Sequence, residues 1–251
     1  MTLRTKTGIA GLDKALQGGF PEGNMVLVSG GAGTGKSTLC LQFLVNGCKE
    51  GDRGVYVSTE QNEAELSKQA ASFGWDLQSL IKKNQLKIVF YDITGSDNFL
   101  KHLEMVVQEF KPKRIVIDSM TTLTDSMILG GITEHDAFSM VQIAESVSPI
   151  PRTEQIISKQ ILYQLLKALR KYKVTTLLTS ELYEEVLRLS ADGISEFISD
   201  GVLLLSYLGV GQSVFRSIRV RKMRYTDHEK GSLVYQMTAK GIEIKPQELS
   251  L

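Results

Sequence analysis

Residues 30–37 read Gly-Gly-Ala-Gly-Thr-Gly-Lys-Ser, which matches the phosphate-binding pattern G-x-x-x-x-G-K-[ST] at every fixed position. An apolar run at 25–28 precedes this stretch, and helical apolar spacing follows it from 38 to 45. The order predicts a strand, a glycine-rich loop and a helix whose N-terminus favours a bound anion. The stretch therefore predicts a nucleoside triphosphate site, without indicating what the nucleotide is used for.

The residue types of this loop predict their own roles. Lys36 is expected to reach the β- and γ-phosphates, and the Ser37 hydroxyl is expected to ligate Mg²⁺. Backbone N–H groups of the loop and the first helical turn are expected to surround the phosphates. The predicted nucleotide contacts are therefore Gly31, Ala32, Gly33, Thr34, Gly35, Lys36, Ser37 and Thr38.

The composition is that of an ordinary soluble globular protein, with 42% hydrophobic and 23% charged residues among 251. A net charge of +1 argues against wholesale electrostatic capture of nucleic acid, although it leaves a local basic patch open. The N-terminus lacks the apolar segment of a signal peptide, and no run approaches the length of a membrane span. We therefore expect a cytoplasmic protein with no membrane partner.

Cysteine and histidine usage favours no metal or redox centre. Cys40 and Cys48 both fall on the helix predicted after the loop, which favours buried thiols in a reducing compartment. His102, His135 and His228 are too far apart in the sequence to suggest a metal cluster.

Strand and helix patterns alternate along most of the chain, which predicts an α/β fold with a mostly parallel sheet covered on both faces. Further strands are predicted at 54–58, 86–90, 114–118 and 174–179. Asn62 and Glu65 have capping-box spacing at the start of one intervening helix. The last third predicts a C-terminal antiparallel extension, with short strands at 202–207, 214–222, 233–238 and 242–245. We expect one domain over residues 1–251.

Residues 125–155 fit this alternation poorly, because they carry two prolines, paired glycines and an acidic bias. Long connections with little regular structure are uncommon and tend to be functional or disordered. We expect an inserted loop region with a short helix around 136–144. A surface excursion without a specific role is one interpretation, and a loop that contacts a partner, a pore or another subunit is the other.

Two carboxylates follow predicted strands, where ligands bind in a doubly wound sheet. Asp118 ends the third apolar strand after the loop, the expected place for a carboxylate that holds Mg²⁺, usually through water. Glu60 follows the strand at 54–58, and a carboxylate beside the γ-phosphate can orient and deprotonate the attacking water. From position alone, Glu60 is equally well explained as an acid favoured by the dipole of a helix N-terminus.

The densest basic stretch of the chain is 216–224. With a period of two, the even-numbered residues from 218 to 224 are predicted to share one face, and Arg219 and Arg221 the other. One interpretation is a solvated edge strand guarded by charge. A second places Lys222 and Arg224 on the γ-phosphate of a neighbouring subunit. A third assigns Arg219 and Arg221 to nucleic-acid phosphates, although no interleaved aromatic residues support it.

Several short strings resemble the KaiC-like branch of the RecA/RadA superfamily of P-loop ATPases. Besides the loop, the resemblance rests on Thr7-Gly8-Ile9, Leu12-Asp13, Gly18-Gly19, Ser72-Phe73-Gly74-Trp75-Asp76, Ile117-Asp118-Ser119, Phe197-Ile198-Ser199-Asp200 and the run from Lys222 to His228. The Ser-Phe-Gly-Trp-Asp string and the Lys-x-Arg-x-Thr-x-His run are specific to this branch. The match covers nearly the whole chain apart from 125–155.

This resemblance implies a RecA-like P-loop NTPase fold and slow hydrolysis of ATP with Mg²⁺ between the subunits of a hexamer-like ring. Glu60 matches the first of the family's paired catalytic glutamates, and Lys222 and Arg224 match its inter-subunit phosphate contacts. The family also has residues that hold the phosphate, base or ribose side of the nucleotide. In this chain, the residues that match them are Ser72, Met223, Thr226 and His228. The string Thr179-Ser180-Glu181 resembles the family's Thr-Thr-Glu at a strand end.

The chain also departs from the family pattern. Gln61 replaces the second glutamate, so slower or differently gated hydrolysis is expected. A single ATPase domain, where clock-type KaiC has two, argues against autokinase activity and timekeeping. The absence of the DNA-binding domain of RadA recombinases argues against strand exchange. Besides a KaiC-like ATPase, two hypotheses stay open: a RadA-paralogue-type accessory that binds DNA, and a nucleotide-gated scaffold that signals to a protein partner.

Overall fold

The computed structural model describes residues 2–92, 99–131, 151–182, 188–210 and 213–245. Its helices in these ranges are α1 (Ala10–Ala15), α2 (Lys36–Lys49), α3 (Glu63–Ala71), α4 (Leu77–Lys82), α5 (Phe99–Phe110), α6 (Met120–Gly131), α7 (Pro151–Lys171) and α8 (Ser195–Ile198). Its strands are β1 (Arg4–Thr5), β2 (Phe20–Pro21), β3 (Met25–Gly30), β4 (Gly54–Ser58), β5 (Leu86–Phe90), β6 (Arg114–Asp118), β7 (Thr175–Glu181), β8 (Gly201–Val210), β9 (Ser213–Met223), β10 (Ser232–Thr238) and β11 (Gly241–Ile244).

The main sheet has the strand order β11-β10-β9-β8-β3-β7-β6-β4-β5. Pairing is parallel from β8 through β3 to β5. It is antiparallel from β8 to β11. The predicted α/β fold with a mostly parallel sheet and a C-terminal antiparallel extension is therefore confirmed. Strands β1 and β2 form a separate antiparallel pair.

The central strands of the sheet are buried on both faces, which explains the continuous apolar run of β3. All six residues of β3 are buried. Val26 and Val28 pack with α2 on one face, whereas Met25 and Leu27 pack with α5 and α7 on the other. Because successive side chains of a strand point to opposite faces, a strand between two helical layers favours apolar residues at consecutive positions, as at 25–28. This packing holds the end of β3, and so the loop after it, in place.

Helix boundaries agree with the sequence signals where those signals are local. Asn62 begins α3 as a capping box: its side chain accepts from the Glu65 backbone N–H at 3.1 Å, and Glu65 Oε2 accepts from the Asn62 N–H at 2.9 Å. Helix α5 buries the residues predicted from their spacing, which are Phe99, Leu103, Val106 and Phe110. No helix among the described residues is long and apolar enough to cross a membrane.

The prediction of an irregular region at 125–155 is wrong at both of its ends. Helix α6 continues to Gly131, and α7 begins at Pro151. Proline is well tolerated at the first position of a helix, because its missing N–H would have no intrahelical partner there. The proline that suggested a loop therefore starts a helix. The short helix predicted at 136–144 lies outside the described residues.

The predicted orientation of the basic strand is also wrong at its end. The β8–β9 register skips Arg221, so Val220 and Lys222 pair with consecutive residues of β8 across a bulge. Val220 and Met223 consequently lie in the core on the α2 side of the sheet, whereas Lys222 faces the opposite side with its partner Val202. Strand β9 is flanked by β8 and β10 and is not an edge strand.

Candidate active site

The phosphate-binding loop lies at the carboxyl end of the parallel strands. It follows Gly30, the last residue of β3, and ends at Gly35, which precedes α2. Gly33 and Gly35 have φ values of 72° and 91°, a left-handed conformation that favours glycine. Helix α2 begins without a side-chain cap, so the N–H groups of its first turn are available to an anion. The loop has the form of an anion-binding cradle.

Lys36 lies back over this loop. Its Nζ donates to the carbonyl oxygens of Gly30 at 2.9 Å and Gly31 at 3.1 Å. The Thr34 hydroxyl also donates to the Gly31 carbonyl, at 2.8 Å. These bonds hold the ammonium group beside the cradle, where Lys36 is predicted to meet phosphate oxygens.

Asp118 ends β6 and is held by two hydroxyl groups. The Tyr56 hydroxyl donates to Oδ2 and the Thr179 hydroxyl donates to Oδ1, each at 2.5 Å. Burial raises the pKa of Tyr56 well above its usual value, and the charge of Asp118 raises it further. Tyr56 therefore stays protonated and donates. The Ser37 side chain lies near the same Tyr56 hydroxyl, so Tyr56 is a shared neighbour of Ser37 and Asp118.

The oxygen atoms at this point suit Mg²⁺. A carboxylate has about four lone-pair sites, so Asp118 can accept from water in addition to its two hydroxyl donors. The described residues contain no group of three or more His, Cys, Asp or Glu that could hold a metal ion. Mg²⁺ commonly binds through one or two protein oxygens, substrate phosphates and water rather than a protein cage. Ser37 and Asp118 fit that pattern.

The two cysteines are buried free thiols, as predicted. Burial raises the pKa of the Cys40 thiol well above its usual value, and Asp118 raises it further. Burial raises the pKa of Cys48 to about 11. Because the thiolate is the reactive form, both side chains act as small apolar groups near neutral pH.

Glu60 lies at the same edge of the sheet as Asp118. Ser58, the last residue of β4, pairs directly with Asp118, and Glu60 follows two residues later. The exposed Glu60 carboxylate accepts from the Thr122 hydroxyl at 3.2 Å. The Ser58 hydroxyl accepts from the Gln61 N–H at 2.9 Å and holds the turn between them. The two predicted strand-end carboxylates are therefore brought together.

Arg224 lies at the opposite end of the sheet from the loop. Its backbone N–H donates to the Asp200 carbonyl at 2.9 Å, and its guanidinium pairs with the Asp200 carboxylate at 2.8 Å. Asp200 in turn donates its N–H to Met25, the first residue of β3, at 2.8 Å. Gly30 is five residues further along β3, about 17 Å at 3.3 Å per residue. The structure thus does not bring Arg224 to its own chain's loop.

Lys222 lies beside Arg224 and closes the end of helix α8. Its Nζ donates to the carbonyl oxygens of Glu196 at 3.1 Å, Phe197 at 3.0 Å and Ser199 at 2.6 Å. Cations are stabilised at helix C-termini by unpaired carbonyls and by the dipole. Partial burial lowers the pKa of Lys222, and Arg224 lowers it further. The hydrogen bonds place Lys222 and Arg224 on one surface at the amino end of β3.

The other predicted nucleotide contacts lie in two further places. The Ser72 hydroxyl donates to the Gln69 carbonyl at 2.7 Å at the end of α3. Thr226 and His228 follow β9, and the Thr226 hydroxyl accepts from the Arg4 guanidinium at 3.0 Å. The Met223 side chain is buried in the core, which leaves its backbone as the part that a ligand can contact.

Sequence reasoning missed three tyrosines around the loop. Tyr56 holds Asp118, and the hydroxyls of Tyr207 and Tyr235 donate to the loop carbonyls of Gly33 and Thr34. A tyrosine in a strand that otherwise points apolar residues into the core is the available signal, because its hydroxyl needs a partner when buried. That signal does not identify which partner it is.

A glycine-rich loop with its lysine between a parallel strand and a helix, facing a strand-end aspartate, defines a P-loop nucleotide-binding fold. The family described as ATPase: KaiC matches residues 5–134 and again residues 129–249. The chain belongs to this KaiC ATPase family. The predicted resemblance to the KaiC-like branch is thereby confirmed.

Individual relatives agree with this assignment. The circadian clock oscillator protein KaiC of Parathermosynechococcus lividus is 31% identical over 254 residues, which cover 97% of this chain and 42% of that protein. The KaiC protein of a Nostoc species is 32% identical, over 97% of this chain and 44% of the relative. This chain thus spans less than half the length of these clock proteins.

Among solved structures, the chain is similar to a KaiC-like protein from the hyperthermophilic archaeon Pyrococcus horikoshii OT3. The sequences are 34% identical, and the superposition has a TM-score of 0.79. It covers 98% of this chain and 100% of the archaeal one. The RecA-like KaiC fold predicted from the sequence is therefore confirmed.

Proposed function

We propose that this chain is a KaiC-type ATPase that binds the phosphates of ATP, with Mg²⁺, at residues 31–38, hydrolyses ATP slowly and acts as a regulator or molecular switch. The observation that carries the proposal is the Tyr56 hydroxyl, which donates to Asp118 and lies near Ser37 at the end of the glycine-rich stretch. A P-loop without a placed metal-site carboxylate would support anion binding alone. We also propose that residues 1–251 form one such domain.

The described side chains supply the parts that phosphoryl transfer to water needs. Lys36 and the loop N–H groups would neutralise charge on the phosphates. Mg²⁺ held by Ser37 and Asp118 would supply further charge neutralisation at the β- and γ-phosphates. The Glu60 carboxylate would orient the attacking water and accept its proton, and the Thr122 hydroxyl at 3.2 Å would hold that carboxylate in place.

The separation of the two predicted halves of the site supports assembly through the nucleotide. Lys222 and Arg224 lie at the amino end of β3, whereas the loop lies at its carboxyl end. If both contact one ATP, they must come from different copies of the chain. A head-to-tail contact of this kind closes into a ring when its rotation permits. We propose a homo-oligomer with ATP between subunits, a hexamer by resemblance.

The slow rate is proposed from Gln61. It replaces the second glutamate of the family pattern, and its N–H is held by the Ser58 hydroxyl at 2.9 Å. An amide can orient water but cannot accept its proton, so of this pair of positions Glu60 alone can act as a general base. Slow turnover suits a switch, in which the nucleotide state persists long enough for a partner to respond.

The test uses substitutions that separate binding from turnover. We expect Glu60→Gln to reduce hydrolysis at least 100-fold, a typical contribution of a general base, while MgATP binding is retained. We expect Lys36→Ala to weaken MgATP binding itself. Glu109→Gln is the matched control, because Glu109 is an exposed acid on α5 and belongs to neither half of the proposed site. Unchanged hydrolysis by Glu60→Gln would contradict the assignment.

A RadA-paralogue-type accessory that binds DNA and modulates recombination or repair is the second candidate. One observation favours it: Arg219 and Arg221 are both exposed on β9. Phosphate contacts make such binding steeply salt-dependent. The test titrates single-stranded DNA at low and high salt into the unaltered chain and into the variant Arg219→Gln/Arg221→Gln. Binding at low salt that weakens in the variant would support this candidate, and no binding at low salt would contradict it. A protein partner at 125–155 stays a prediction.

A further inference from the structure

Three polar side chains form a row across the antiparallel extension. Tyr207 on β8 pairs with Arg216 on β9, and Arg216 pairs with Tyr235 on β10. Directly paired residues of antiparallel strands point to the same face of the sheet. For this row, that face is the one on which α2 packs, because Tyr235 and the β8 residues Leu203 and Leu205 belong to the same core as α2. We call these three residues the tyrosine row.

The tyrosine row contacts the backbone of the phosphate loop. The Tyr207 hydroxyl donates to the Gly33 carbonyl at 2.9 Å, and Arg216 Nε approaches the same oxygen at 3.4 Å. The Tyr235 hydroxyl donates to the Thr34 carbonyl. Two successive peptide groups of the loop are thus held by side chains that come from more than 170 residues later in the chain.

Holding these carbonyls also orients the N–H groups of the next residues. A peptide group is planar and trans, so the C=O of one residue and the N–H of the following residue point in opposite directions. A Gly33 carbonyl directed at β8 turns the Thr34 N–H away from β8. A Thr34 carbonyl directed at β10 turns the Gly35 N–H away from β10. These are N–H groups that a phosphate loop presents to its ligand.

We infer that Tyr207 and Tyr235 are positioning residues for nucleotide binding, which lock two peptide groups of the loop so that the Thr34 and Gly35 N–H groups face the phosphates. The inference rests on the proposed function, because it concerns the same site. It adds that part of the nucleotide affinity is set by the antiparallel extension. Arg216 supports the row, since its guanidinium lies 5.3 Å from the centre of the Tyr207 ring.

The two tyrosines are expected to contribute unequally. Thr34 is 1% exposed, so loss of the Tyr235 hydroxyl leaves a carbonyl that water cannot easily reach. Tyr207 is 42% exposed, so water can replace its hydroxyl at the Gly33 carbonyl. Burial also raises the pKa of Tyr235, so its hydroxyl stays protonated as a donor. The Tyr235 hydroxyl should therefore contribute more to nucleotide affinity than the Tyr207 hydroxyl.

The test measures MgADP affinity by calorimetry for Tyr207→Phe, Tyr235→Phe and the double variant. Net hydrogen-bond contributions of about 0.7 and about 1.4 kcal/mol correspond to affinity losses of about threefold for Tyr207→Phe and about tenfold for Tyr235→Phe. Because phosphate contacts act in both ground and transition states, KM for MgATP should rise in proportion while kcat stays within about twofold. Tyr163→Phe is the matched control, since Tyr163 is an exposed tyrosine on α7.

Amide hydrogen exchange of the nucleotide-free protein provides a readout that a merely structural role would not move. We expect faster exchange at Thr34 and Gly35 in the double variant, with exchange in the rest of α2 unchanged. If Tyr235→Phe impairs folding, Tyr207→Phe alone decides the question, because its exposed ring loses only a hydroxyl.

The outcomes separate this inference from the proposed function. Failure of the unaltered chain to bind MgADP would contradict the proposed function. Binding by the unaltered chain, with equal affinity in the correctly folded double variant, would overturn the positioning role and leave the proposed function intact. A fall in kcat at unchanged KM would also overturn it, because it would indicate a role in the chemical step.

Discussion

Lys36 and Arg224 lie at opposite ends of strand β3. Lys36 contacts the carbonyl of Gly30 at the carboxyl end, and Arg224 is tied through Asp200 to Met25 at the amino end. Five residues of extended strand, about 17 Å, separate these anchor points. One chain therefore carries two separate cationic surfaces, and a nucleotide that contacts both must lie between two chains.

The Tyr56 hydroxyl provides a test of the proposed Mg²⁺ site. Tyr56→Phe removes the donor to Asp118 Oδ2, which lies near Ser37. Loss of such a supporting partner typically costs about 10- to 100-fold in metal affinity. We expect the Mg²⁺ concentration for half-maximal hydrolysis to rise by about tenfold. Thr179→Val, which removes the donor to Oδ1, should shift it in the same direction. An unchanged Mg²⁺ requirement in both variants would contradict this role for Asp118.

A second prediction concerns Gly35. A Cβ added at Gly35 would meet the Met237 side chain, and the φ of 91° at Gly35 is unfavourable for alanine. We expect Gly35→Ala to lower the free energy of unfolding by about 1–3 kcal/mol and to abolish MgADP binding. Gly51→Ala is the control, because Gly51 also has φ of 91° but no atom lies within 4 Å of an added Cβ. Urea unfolding measures the free energy of unfolding of each variant, and calorimetry measures its MgADP binding. Retained MgADP binding in Gly35→Ala would contradict the cradle geometry.

A third prediction concerns stability at Arg114. Its side chain is 2% exposed, pairs with Asp52 at 2.8 Å and donates to the carbonyls of Lys6 and Phe43. Removing one partner of a buried charge pair typically costs about 3–5 kcal/mol, so Arg114→Ala should lose that much in urea unfolding. Lys113→Ala should change stability by less than about 1 kcal/mol, because this exposed neighbour also contacts Asp52 but from the surface. Equal losses of stability in Arg114→Ala and Lys113→Ala would contradict this role for the buried Arg114.

The Cys48 thiol predicts a pH dependence. Its pKa is raised in the folded chain to about 11 from 9.0, so the folded state retains a proton that the unfolded state loses. The retained proton favours the folded state over the unfolded state. This contribution to the free energy of unfolding is fully present below pH 9, and it is lost as the pH rises through about 11. Site-resolved alkylation should accordingly be slow at pH 8 in the folded protein and fast in urea. Rapid alkylation of folded Cys48 at pH 8 would contradict its burial.

Local signals in the sequence predicted much of the fold. The apolar run of β3, the capping box at Asn62 and the spacing along α5 each depend on residues a few positions apart. The candidate residues Lys36, Ser37 and Asp118 were predicted because a loop pattern and a strand end locate them in any parallel sheet. Their placement needed no knowledge of distant contacts.

Other features depend on contacts that the sequence does not display. The bulge at Arg221 turns Lys222 away from the face of Val220, and only the pairing with β8 determines it. The hydroxyls of Tyr207 and Tyr235 reach loop carbonyls more than 170 positions away. A period-two pattern assigns such residues to a face of the sheet, but not to a partner.

The most direct test of the shared site mixes two inactive variants. Glu60→Gln damages the half that carries the loop, and Arg224→Gln damages the other half. If ATP lies between subunits, about a quarter of the interfaces in an equal mixture unite two intact halves, so about a quarter of the normal hydrolysis should return. A mixture of Glu60→Gln with Lys36→Ala, which damage the same half, should stay inactive. No recovery in the first mixture, with subunit exchange verified, would contradict a site built from two chains.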